Sequence, residues 1–199
     1  MKLIQYTVIA FFILLVLGFG INDTKEYELD VHHTFVTFQV ERFMVGEVTG
    51  RFNELTGKIS YDGNHLKSLK ADVTIKTKSI DTGMEIRDGH LKSNTWLDAE
   101  QYPEMKLMTK EVFQKEGKNY VKADLTIHGV TQEVEIPFTL KGPFKDPTGA
   151  ETIGIQAALT INRQDYGISF SKTMGNGELF IGNEVKIGIK ALAILPRNK

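Results

Sequence analysis

Cysteine is absent from the 199 residues. Its absence excludes a disulfide framework, a thiolate metal site, a catalytic thiol and a lipobox-type N-terminal lipid anchor. An excess of charge of one sign is also lacking. The 24 Lys and Arg face 25 Asp and Glu, for a formal net charge of -1. No block of like charges marks an interaction tail, and nothing provides the basic footprint that nucleic acid requires. No helical pattern runs beyond a few turns, which removes the crossover helices of a parallel sheet. The sequence contains no Gly-x-Ser-x-Gly elbow, no His-Glu-x-x-His and no Walker loop, and Gly175-Asn176-Gly177 lacks the strand-to-helix setting of a phosphate cradle. The chain therefore reads as a non-enzyme.

What is present begins with one apolar run. Lys2 precedes a stretch from Ile4 through Phe19 broken only by Gln5, Tyr6, Thr7 and Gly18. Gly18 and Gly20 put small residues at the two positions a signal peptidase reads. Residues 1–20 are expected to be a signal peptide cleaved after Gly20, leaving residues 21–199 as a single periplasmic or secreted domain. The alternative is an uncleaved anchor, for which a run of about 16 residues falls short of the roughly 20 that span a bilayer.

Beyond the leader the dominant pattern is period-two alternation, as a strand with one buried face requires. Leu69, Ala71, Val73 and Ile75 share one face, with Lys70, Asp72, Thr74 and Lys76 on the other. Val121, Ala123, Leu125 and Ile127 alternate in the same way and lead through His128-Gly129-Val130-Thr131 into Val134, Ile136, Phe138 and Leu140. Residues 153–161 and 185–191 repeat the pattern, and weaker segments lie at 34–43, 46–53, 55–61 and 105–113. The total is about eight or nine strands. Two stretches do not alternate: 81–103, where a short helical segment is expected around residues 84–98 and ends at Pro103, and 165–183, expected as a long loop or a pair of short strand ends.

An antiparallel meander of eight strands hides its edges completely by closing into a barrel, the smallest size that holds a ligand as an alternative to filling itself with side chains. The fold expected is therefore all-β, an extended eight-stranded antiparallel β-barrel. Strands of ten to twelve residues tilted near 40° would give an interior roughly 27–30 Å tall. Each CH₂ buried in such an apolar bore contributes about 0.8 kcal/mol, so a long acyl or prenyl chain gains affinity with every unit enclosed. Ala71, Ala123, Ala157, Ala191 and Ala193 on the apolar registers leave volume. Equally, Phe35, Phe38, Phe52, Phe138 and Trp96 would fill it to ordinary core density, giving a solid interaction module. The pattern alone allows both.

The five histidines offer no convincing metal spacing. His32 and His33 are adjacent on an expected strand and would point to opposite faces. His65 follows the Asp62-Gly63 turn, and His128 sits in a hairpin. His90 shares the irregular segment with Arg87 and Asp88, whose local ion pair is expected to hold a cap together, or it contacts a ligand head. Arg163 continues the inward register of 153–161 and is costly to bury without an anionic partner, which Asp165, Asp88 or the head of a bound lipid would supply. The residues expected to contact a ligand are Phe35, Phe38, Phe52, Val73, Ile75, His90, Leu91, Trp96, Leu125, Phe138, Leu159, Arg163, Ile168 and Ile187.

Several short pieces, taken in order, carry a family resemblance: Asp30-Val31-His32-His33-Thr34, Ser79-Ile80-Asp81-Thr82, Arg87-Asp88-Gly89-His90-Leu91-Lys92, Tyr102-Pro103, Leu125-Thr126-Ile127-His128-Gly129-Val130-Thr131, Asn162-Arg163-Gln164-Asp165-Tyr166-Gly167-Ile168 and Ile181-Gly182-Asn183-Glu184-Val185. Over about residues 27–194 the chain resembles the YceI family. Thr34 stands where a serine is common and Gln132 where a basic residue is common. The resemblance implies a lipocalin-like barrel, secreted or periplasmic, that carries or stores a polyprenyl, quinone-like or related amphiphilic lipid without catalysis. No cofactor is implied beyond that bound lipid. Transient membrane contact and a homodimer are compatible with it, as is an accessory role in quinone, redox or stress metabolism.

Overall fold

Alternating side chains dictate the architecture seen in the computed structural model, which describes residues 24–197. The leader expected over residues 1–20 lies outside the described residues. Eleven strands run in chain order as β1 (Lys25–Leu29), β2 (Phe35–Arg42), β3 (Gly46–Phe52), β4 (Leu55–Tyr61), β5 (Lys70–Lys76), β6 (Ile80–Asp81), β7 (Glu104–Lys115), β8 (Lys118–Ile127), β9 (Val130–Lys145), β10 (Glu151–Asn162) and β11 (Ile181–Ile194). One short helix, α1 (Glu85–Lys92), falls between β6 and β7. All pairings are antiparallel, and β1 closes the sheet by pairing with both β4 and β11.

The eleven strands make eight staves. β1 and β2 lie end to end along β11, whose Ala193 and Ile194 pair with β1 while residues 181–190 pair with β2. β3 and β4 continue one another between those staves and the next, with β3 pairing β6 and β4 pairing β5. The barrel is thus a closed, eight-stranded antiparallel meander, the lipocalin-like form. β1 and β6 are too short to show a period in sequence, yet they complete the first and third staves.

Tight hairpins set the register. His128 and Gly129 take φ of 51° and 74°, and Glu116 and Gly117 take 52° and 74°. Two consecutive left-handed residues are the turn whose twist matches paired strands. A side chain on Gly129 would also strike the Tyr102 ring, which packs at a tilt against His128 with centroids 4.4 Å apart. His32 and His33 lie in a turn between β1 and β2 and not on a strand. There the Asp30 carboxylate accepts from the His32 backbone N–H and bonds the His33 ring, the local side-chain bonding that displaces strand.

The interior has two ends. Tyr27, Ile59, Tyr61, Leu69, Val112, Ile153 and Ala193 pack solidly across one. Met105, Leu125, Ile127, Ile161, Tyr166 and Ile168 form a second cluster at the other. That second end carries the connections 43–45, 82–103, 128–129 and 163–180. The last of these opens as a 3-10 turn, Arg163–Tyr166, before a loop that reaches β11.

Candidate functional site: an apolar tunnel

Between the two clusters the barrel is hollow. A cavity of about 740 Å³ runs along the bore, within the range of about 300–1,000 Å³ typical of small-molecule sites. Of the two interiors compatible with the sequence, the structure has the hollow one: the aromatic rings take part of the wall but do not fill it. Its middle is mostly aliphatic and aromatic, built largely from single faces of successive strands. Val36, Phe38 and Val40 come from β2, Val73 and Ile75 from β5, Ala157, Leu159 and Ile161 from β10, and Val185, Ile187, Ile189 and Ala191 from β11. Ala71, Ala157 and Ala191 help keep the bore open, and Gly50 lets the Phe38 ring lie flat against β3, where an added Cβ would sit 2.4 Å from it.

The structure brings together Phe38, Phe52, Val73, Ile75, His90, Leu91, Trp96, Leu125, Phe138, Leu159, Arg163, Ile168 and Ile187, all on the wall of this one cavity. Phe35 is the exception. It lies outside the cavity and is 44% exposed, because it points to the opposite face of β2 from Val36 and Phe38. Of the alanines expected inward, Ala193 is buried in the first cluster and Ala123 is wholly buried, and neither lines the cavity.

Beside hydroxyls such as Thr37, Ser93, Thr95 and Thr109, the ionisable groups of the wall are of one sign. Its ionisable residues are Arg42, Arg87, His90, Lys106 and Arg163, all basic, and among the described residues no Asp or Glu lines it. Arg163 is 3% exposed. Its Nε donates to the Gly182 carbonyl at 3.0 Å and its Nη1 to that of Ile168 at 2.8 Å. The guanidinium lies 5.4 Å over Trp96, and its Nη2 is buried with no partner. Neither Asp165 nor Asp88 pairs with it, so the expected internal ion pair is not formed. Burial pushes its pKa down, yet a guanidinium stays charged. The positive charge therefore stands at the tunnel without a counter-charge from the protein.

The expected Arg87–Asp88 pair is replaced by a shared partner, Thr82. Asp88 accepts from the Thr82 N–H at 3.0 Å and from its hydroxyl at 2.5 Å. Arg87 donates to the same hydroxyl at 2.7 Å and to the Thr82 carbonyl at 2.8 Å. These bonds fasten the entry of α1 across the open end. His90 is exposed on the rim.

At the closed end, the Tyr27 hydroxyl donates to Glu151 at 2.5 Å and the Lys25 ammonium to the same oxygen at 2.9 Å. Burial, then the Glu151 carboxylate, push the Tyr27 hydroxyl up. The Tyr27 and Lys25 bonds hold the Glu151 carboxyl below its ordinary range. Among the described residues no group of three or more acidic, histidine or cysteine side chains is placed to hold a metal.

Sequence reasoning missed three wall residues that matter. Arg42 continues the parity of Val36, Phe38 and Val40, which was visible in sequence. Phe170 and Phe180 come from the irregular stretch, where no period marks them; Phe170 packs at a tilt on Trp96 with centroids 4.7 Å apart, and Phe180 meets Phe43 edge to face at 4.3 Å.

Comparison with known proteins agrees with this geometry. Residues 27–193 match the family model described as a YceI-like domain. A UPF0312 protein of Staphylococcus epidermidis is 36% identical over 167 residues, covering 83% of this chain and 95% of that protein. Among structures, BcnA of Burkholderia cenocepacia superposes with a TM-score of 0.72 at 21% identity, covering 82% of this chain and 98% of its own. A polyisoprenoid binding domain from Saccharophagus degradans gives 0.66 at 20% identity, covering 85% and 98%.

Proposed function

The chain belongs to the YceI-like domain family, and from that membership together with its tunnel we propose that it binds a long-chain isoprenoid or related amphiphilic lipid and carries or stores it outside the cytoplasm. The observation that carries the reading is the continuous, carboxylate-free apolar bore. An empty apolar cavity is destabilising, and increasingly so with its volume. A closed ladder of strands cannot collapse to remove this one. Water finds few polar partners on such a wall. An extended hydrocarbon satisfies it.

The basic end selects the head. Arg163, lacking a carboxylate, together with Arg42, Arg87 and His90 favours a head that accepts hydrogen bonds or carries negative charge. The reading is one of binding without turnover, in keeping with the binding-domain fold of the family.

The test is extraction of the purified protein with organic solvent, followed by mass spectrometry of the extract. A stoichiometric prenyl or acyl amphiphile is expected. Ala157→Phe, which places a ring in the middle of the bore, should lower the recovered lipid at least about tenfold while the protein stays folded. Equal lipid content in the variant would sink the tunnel as the binding site.

A further inference from the structure

A greasy cargo has to reach the tunnel without crossing water. Among the described residues, four of the eight large apolar side chains that stand exposed lie at the open end: Met44 at 49%, Val45 at 92%, Met84 at 51% and Ile86 at 69%. Topology places them together. Met44 and Val45 form the tip of the β2–β3 hairpin, and β6 runs antiparallel to β3 toward that tip, delivering Met84 and Ile86 beside it. Met84 and Ile86 also line the cavity, so the exposed apolar surface is continuous with the bore.

The rim carries cations held over aromatic faces. The Arg42 guanidinium lies 4.5 Å over Phe43 and 5.7 Å over Phe180, and the Lys172 ammonium 5.5 Å over Phe180. Aromatic rings beside Arg and Lys, next to side chains that belong in hydrocarbon, form the chemistry of a membrane interface. Among the described residues the closed end shows a lone exposed Phe144 and no comparable patch around a mouth, since Tyr27, Ile59 and Tyr61 seal it.

We propose that the open end, led by the Met44–Val45 tip and the Met84–Ile86 shoulder, docks on a phospholipid surface, so that cargo passes from bilayer to tunnel through a continuous apolar path. This rests on the lipid-carrier reading for its purpose, but it concerns a different surface and is tested separately.

The absence of cysteine gives a clean probe. Val45→Cys at the open end and Lys118→Cys at the closed end, each in the full chain, carry an environment-sensitive dye. Both are mixed with vesicles of phosphatidylcholine containing about one-third phosphatidylglycerol and a nitroxide-labelled lipid. The two proteins share the same N-terminus, and because Lys25 enters the barrel at the closed end, any contribution from it favours the Lys118 label and not the Val45 label. The Val45 label should be quenched at least about threefold more than the Lys118 label, as shallow insertion predicts. Equal quenching, stronger quenching at Lys118, or none at either position overturns the proposal. Energy transfer between Val45 labels that persists with vesicles present also overturns it, assigning the patch to a second copy. The emission of Trp96, the one tryptophan, on addition of a prenyl alcohol from detergent micelles tests the cargo reading alone. A Trp96 response without Val45 quenching removes the docking and leaves the carrier.

Discussion

Glu151 shows how one carboxylate closes a barrel end. It accepts from Tyr27, which is wholly buried, and from Lys25 at the start of β1, so it ties that short strand to β10. Its folded pKa lies below its ordinary value of 4.5. A depressed carboxyl stabilises the fold fully above the unfolded value, and that contribution is lost as pH falls through the folded value. Glu151→Gln is therefore expected to cost on the order of 1–2 kcal/mol at neutral pH. The difference between wild type and variant should shrink as pH falls below 4.5. Urea midpoints at several pH values measure this, and a gap that stays constant down to acid denaturation would show that the carboxylate contributes by packing alone. The same scale explains Phe35. Phe35 and Phe38 are three apart and cannot share a face of one strand. Their opposed parity was legible, and the run Val36, Phe38, Val40, Arg42 decides which ring points inward.

At the scale of elements, the long strands were legible because each buries one face, and period two survives any detail of closure. β7 to β11 appear within a few residues of the expected alternating segments, and α1 falls inside the expected helical segment. β1 and β6 were not legible: five and two residues carry no period, and they are strands only because staves beside them offer unpaired backbone. The open end was the least legible part. Sequence suggested an ion pair between Arg87 and Asp88, but neighbours on a helix point apart, and both instead reach back to Thr82. Thr82→Val removes the hydroxyl that links them and leaves both charged groups short of a partner. A loss of about 1–3 kcal/mol is expected, felt first as local opening of α1. Amide hydrogen exchange over residues 85–92 should accelerate while β8 and β9 stay protected, and release of bound lipid should quicken with it. Unchanged exchange at α1 would mean that packing of Leu91 and Trp96, and not the Thr82 cluster, holds the cap.

For the whole molecule, cavity and stability are one problem. The barrel cannot shrink its bore without breaking ladder hydrogen bonds, so the cost of the hollow falls on the protein unless something fills it. A ligand that binds only the folded state adds about 2.7 kcal/mol at a free concentration one hundred times its Kd. For a chain of this size each kcal/mol moves the melting temperature by about 2–4 °C. Protein stripped of lipid should therefore melt about 5–10 °C below protein as isolated. Adding back a prenyl lipid with an acidic head should restore the difference, and a prenyl alcohol should restore less of it, because only the acidic head meets the unpaired Arg163. Calorimetry on the stripped and reloaded forms measures all three. Ala157→Phe gives the decisive comparison, since it fills part of the bore: its stripped form should melt closer to its loaded form than wild type does. If stripping leaves the wild-type melting temperature unchanged, water or nothing occupies the tunnel in the isolated protein, and the stability argument for a resident cargo fails.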